Sequence, residues 1–164
     1  MKFLATFWVL LHKFTSKIFT VGKILDTKDT FELVLQDSEP LARYIYFSNH
    51  LYAPNDKGDI KPKLNAFMPS KNGETSIFRT IGLSSVQLMD LGLLYGRKDR
   101  ELKGAAIFSS DVIEIINKEN RTNVKIHPDN NPERHANIIS WPEEKSEQKA
   151  IAREIAKLSN YIAT

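Results

Sequence analysis

The sequence predicts an α+β fold: a single domain whose mainly antiparallel sheet is packed by a mid-chain helix and a long C-terminal amphipathic helix. Three observations predict it. Runs of β-branched and aromatic residues recur between polar turns, as at Ile18–Leu25, Thr30–Leu35 and Thr75–Thr80. A helical pattern begins after Ser84 or Ser85 and stops at Gly96. Near the C-terminus, Ile151, Ile155, Leu158 and Ile162 fall at helical spacing on one face. A length of 164 residues fits one domain, and 41% hydrophobic with 26% charged residues is the balance of a chain that folds. No repeat and no Pro/Gly/Ser linker divides it.

In chain order, residues 1–16 read as an apolar N-terminal segment ahead of a domain over 17–164. Lys2 and the run "FLATFWVLL" resemble a short secretory signal, but no small-residue cleavage site follows, so a docked terminal helix is the preferred reading. Nine apolar residues are too few to cross a ~30 Å bilayer core as a helix, so no membrane span is expected and a cytoplasmic location is assumed. Ile18–Leu25 and Thr30–Leu35 flank "DTKD" as a β-hairpin. The aromatic segment 40–52 fits strand or helix, because its apolar spacing satisfies both. Pro54, Gly58, Pro62 and Gly73 make 53–74 mostly loop, with a short edge strand expected at Leu64–Met68.

Thr75–Thr80 alternates as a strand and carries Arg79. After the helix over 85–95, residues 105–108 read as a strand and 109–117 as a Ser-capped short helix. Val124–Ile126 and Ala136–Ile139 are two further strands. The final helix is expected to run about 18 residues, with Ser140 as its cap, Pro142 in its first turn and Trp141 sealing the turn that leads into it.

The absence of cysteine excludes disulfides, thiolate nucleophiles and Cys-based zinc or iron–sulfur sites. No phosphate-binding glycine loop or metal motif is present, so no cofactor or metal is expected, and Ser76, Ser84 and Ser109 lack a nucleophile-elbow context, so a serine hydrolase is not expected. His127, Asp129 and His135 match no specific ligand spacing. A net charge of +3 and a pI near 9.0 give a mild bias towards polyanions, RNA more than DNA.

The candidate catalytic residues are His135 with Arg79, Arg134 and His50. A histidine near neutrality moves protons and an arginine holds phosphate, which together suit metal-independent RNA cleavage of the toxin or defence type. The competing structural reading has His135 bonding a backbone carbonyl and Arg134 pairing with Glu133 or Asp129. Lys145, Lys149, Arg153 and Lys157 form a stripe on the final helix that can track a nucleic-acid backbone, with Arg97, Lys98, Arg100 and Lys103 as a second basic cluster. Tyr44, Tyr46, Phe47 and Tyr52 beside Arg43 and His50 form a mixture able to stack bases. Two other classes stay open. One is a non-catalytic adaptor docking on a partner protein or a second copy through its N-terminal segment and C-terminal helix. The other is an enzyme holding a nucleotide or NAD in the same Arg/His cleft.

Overall fold

The computed structural model describes residues 34–96 and 99–164; the expected N-terminal segment, all but the end of the expected hairpin, and Arg97 and Lys98 lie outside them. The fold is α+β. Strands β1 (Pro40–Ile45), β2 (Thr75–Arg79), β3 (Gly104–Ser109), β4 (Lys125–Pro128), β5 (His135–Ile139) and β6 (Asn160–Ala163) form one sheet in the order β4-β5-β2-β1-β3-β6. Every neighbouring pair is antiparallel. Helices α1 (Ser85–Leu94), α2 (Asp111–Asn120) and α3 (Lys145–Leu158) cover it.

Strand alternation sorts side chains onto two faces, and each face has its own helices. Leu41, Ile45, Ile77, Phe108 and Ile138 point to one side, where Ile113 and Ile116 of α2 and Ile151 and Ile155 of α3 bury against them. Ala42, Tyr44, Phe78 and Ala105 point to the other, under Leu88 of α1. Ser84 starts α1 through a capping box: its Oγ accepts from Gln87 N while Gln87 Oε1 accepts from Ser84 N. Gly92 lets α1 settle closely on the sheet, because a Cβ there would lie 2.6 Å from the Tyr44 ring.

Four expectations need correction. The ambiguous segment 40–52 is strand in its first half and closes with a 3-10 turn at Ser48–His50, its apolar spacing satisfied by the two faces of β1. Leu64–Met68 is no edge strand; a 3-10 turn at Leu64–Ala66 drives Ala66 and Phe67 into the core, where Phe67 meets Phe108 edge-on. Ser110 does not cap α2 with its side chain; its Oγ accepts from Glu39 N instead.

The last helix is also shorter than expected. It starts at Lys145 rather than after Ser140, and ends at Leu158. Ser159 turns extended, its Oγ donating to Ile155 O, and the chain continues as β6 beside β3. Ile162 thus leaves the α3 stripe and packs on the opposite face, against the Tyr44 and Phe78 cluster. Trp141 does seal the turn into α3, donating from Nε1 to Ile138 O.

Candidate active site

β1 and β2 pair only at Leu41↔Arg79 and Ala42↔Phe78, then part. The gap is bridged by a side chain. Arg43 is rooted on the two-helix face, but its guanidinium reaches between the strands, Nε donating to Ala66 O at 2.8 Å and Nη1 to Ser76 O at 2.7 Å. The Ser76 carbonyl, where β2 has no β1 partner, and the Ala66 carbonyl of the 3-10 turn are thereby satisfied. On the α1 side of this split lies a cleft of about 440 Å³, lined by Arg43, Tyr44, Tyr46, Ser76, Phe78, Tyr95, Pro132 and His135.

His135 enters the cleft at the start of β5, opposite Phe78 and therefore on the Phe78 face. Its Nδ1 lies 2.7 Å from Asp129 Oδ1, across the β4–β5 hairpin. The Asp129 carboxylate is itself held, accepting from Asn131 N at 3.1 Å and from Asn137 Nδ2 at 3.3 Å. A carboxylate only accepts, so Nδ1 carries a proton, and in the neutral form of the ring the lone pair is then on Nε2. Ser76 Oγ lies 2.8 Å from Nε2, placed to donate to it when that lone pair is free. Ser76 stands on β2 opposite Asn137, two residues from Phe78 and so on the same face, and hydroxyl, imidazole and carboxylate follow one another along that face of the sheet. This is the relation of a nucleophile, its base and the base's orienting group.

The cleft walls are aromatic. Phe78 and Tyr95 stack at 5.7 Å and 14°, and Phe78 meets the His135 ring edge-on at 5.2 Å. The Tyr44 and Tyr46 hydroxyls donate to Leu88 O and Gly92 O of α1, which leaves their rings to face the cleft. Burial pushes both phenols above the ordinary tyrosine range, so they stay protonated at neutral pH. Burial lowers the Arg43 pKa, partly offset by Tyr46, but a guanidinium keeps its charge. Among the described residues, no carboxylate pairs with Arg43.

The other expected residues lie elsewhere. Arg79 follows Phe78 on β2, so alternation turns it to the opposite face from His135. There it is 2% exposed and forked onto Glu39, Nε to Oε1 at 2.6 Å and Nη2 to Oε2 at 2.9 Å. Arg79 and His135 therefore do not share a cleft. Arg134 precedes His135 in a left-handed conformation, φ 67°, and its Nη1 donates to Ile81 O. His50 sits in the 3-10 turn after β1, against Phe47; burial first and the Arg43 charge second lower its pKa. His127 does not join Asp129 and His135 as a ligand set, and among the described residues no group of three His, Asp or Glu side chains is placed to hold a metal ion.

The α3 stripe of Lys145, Lys149, Arg153 and Lys157 is exposed along its length, with Lys157 paired to Glu154. Because α3 packs on the face opposite the cleft, the stripe does not line it. Arg100 lies over the Phe47 ring at 4.0 Å, and Lys103 pairs with Glu101. No described helix is long and apolar enough to cross a membrane.

Sequence reasoning reaches His135 and Asp129 together, though as part of a metal-ligand spacing, and Arg43 among the aromatics, but not the relay. The signal for the His–Asp half is a short hairpin that begins at Asp129 and ends at His135. For Ser76 the chain carries no local signal, since its partner comes from register across two strands. Comparison with known proteins adds no relative: no family model matches the chain, and no curated protein or solved structure matches it.

Proposed function

We propose that the chain is a metal-independent hydrolase of small ester-type substrates, with Ser76 as nucleophile, His135 as general base and then acid, and Asp129 orienting the imidazole. One observation carries this reading. Ser76 Oγ, His135 and Asp129 are joined by contacts of 2.8 and 2.7 Å at the wall of an open cleft, not inside a packed core. In the forward step the Ser76 proton passes to Nε2 as Oγ bonds the electrophilic atom. The departing oxygen then takes that proton from Nε2, and water releases the product by the same path in reverse. The Arg43 guanidinium, anchored on the Ser76 carbonyl, is the fixed positive group beside the reacting centre.

A strand serine without a sharp turn is an unusual nucleophile, so the test is covalent. A fluorophosphonate probe should modify the intact chain at Ser76, read by peptide mass spectrometry, and His135→Ala should slow labelling by at least about a hundredfold. Absence of an adduct at Ser76 sinks the reading. Cleavage of an RNA oligonucleotide that survives Ser76→Ala but not His135→Ala would instead put His135 to work on a ribose hydroxyl, the RNA-cleaving alternative.

A further inference from the structure

Resting on the reading of Ser76 as nucleophile, we infer that the bond broken is a phosphodiester in a small nucleotide, Arg43 receiving the phosphoryl group and the Phe78–Tyr95 wall receiving the base. Charge comes first. Among the described residues that line the cleft, Arg43 is the one permanent cation and none is a carboxylate. That guanidinium suits the negative charge of a phosphodiester as a charge-assisted hydrogen-bond donor.

Geometry points the same way. Nε and Nη1 are spent on Ala66 O and Ser76 O, which fixes the guanidinium plane beside the residue that carries the nucleophile. Nη2 makes no hydrogen bond among the described residues, so it remains for an anionic oxygen. The walls supply the rest. Phe78 is buried and stacked against Tyr95, whereas Tyr95 is only half-buried at the end of α1, so the Tyr95 ring, backed by Phe78, is the aromatic surface left for a planar base. Base-on-aromatic stacking needs no sequence code. A cleft of about 440 Å³ is the size of a site for one small ligand, and the basic stripe that would track a longer strand is on the opposite face.

The reaction balances without a metal. Ser76 Oγ bonds phosphorus and its proton goes to His135 Nε2; the ester P–O bond breaks, and the leaving alcohol oxygen takes the proton back. Water then attacks the seryl phosphodiester, passing its proton through Nε2 to the departing Ser76 Oγ. The sum is diester plus water giving monoester plus alcohol.

Binding and turnover are measured separately. With the full chain carrying Ser76→Ala, isothermal titration should show a 2′,3′-cyclic nucleotide binding at least about tenfold more tightly than its nucleoside, the worth of a charge-assisted contact. Adding Arg43→Gln should erase that preference. Because Arg43 also bridges β1 and β2, a second variant guards the test: Tyr95→Ala, on a half-exposed ring, should weaken nucleotide and nucleoside alike by about tenfold. Equal binding of nucleoside and nucleotide, or indifference to Tyr95→Ala, overturns the inference. If the unsubstituted chain cleaves an aryl carboxylate ester while showing no nucleotide preference, Ser76 stands and the phosphodiester falls. If nucleotide binds but the unsubstituted chain neither hydrolyses it nor takes a covalent probe, the hydrolase reading falls and takes the assigned reaction with it.

Discussion

Two arginines on neighbouring strands meet opposite fates. Arg79, on β2, is sealed on the two-helix face and forked onto Glu39, which is itself 1% exposed. Arg43, on β1, reaches into the split in the sheet and finds two backbone carbonyls but, among the described residues, no carboxylate. Both spend donors on holding the fold together. The first is electrically complete, because an Arg–carboxylate fork neutralises both partners. The second keeps a charge at a cleft, the condition under which a ligand anion supplies what the protein withholds. Burial of an arginine is therefore no guide to its role; the presence of a counter-charge is.

That contrast can be broken most forcefully at Glu39. Glu39→Gln leaves the Arg79 guanidinium buried without its partner and should cost about 3–5 kcal/mol of stability, measured by urea denaturation. A loss below about 1 kcal/mol would mean that Arg79 does not depend on Glu39, and the distinction between the two arginines would dissolve. On the cleft side, Gly92→Ala tests the support beneath the aromatic wall. Helix propensity favours Ala by about 1 kcal/mol, but the new Cβ would meet the Tyr44 ring at 2.6 Å, so a net loss of about 1–2 kcal/mol is expected, with a displaced Tyr44 in the crystal structure of the variant. A Gly92→Ala variant as stable as the parent would show that α1 floats on the sheet.

The smallest effect concerns the reach of the Arg43 charge. Burial and that charge hold the His50 pKa below its ordinary 6.5, so as pH falls the unfolded chain takes up the proton first. The His50 contribution to stability is complete above about pH 6.5 and is lost as pH drops through the lower, folded value. His50→Gln should flatten that acid-side slope in thermal unfolding measured against pH. An unaltered slope would assign the acid sensitivity to other groups.

Much of the fold is legible because its signals are local. The periodicity of Ile77 and Arg79, the Ser84 cap, and Ile151 with Ile155 locate β2, α1 and α3 without reference to distant residues. β6 is not legible, since Ile162 continues a helical face as readily as it alternates in a strand, and only pairing with Ala105 on β3 decides between them. The site divides in the same way. Asp129 and His135 are joined by a hairpin and visible as a pair of titratable groups, though their spacing also invites a metal reading. Alternation alone separates Arg79 from Phe78, but not which face of the sheet opens into a cleft. That depends on β1 and β2 parting after two pairs, a feature of neither strand by itself.

The register of β5 against β2 has a consequence for how this molecule reports on itself. Imidazole and carboxylate travel together on one hairpin, whereas the hydroxyl arrives on a separate strand and faces Nε2 only while Ser76 stands opposite Asn137. A slip of one residue would send Ser76 to the far side of the sheet, leaving the base intact and without an object. Covalent labelling at Ser76 is thus a chemical gauge of strand alignment, sensitive to a misfolded population that keeps its secondary structure and compactness and differs by a single notch.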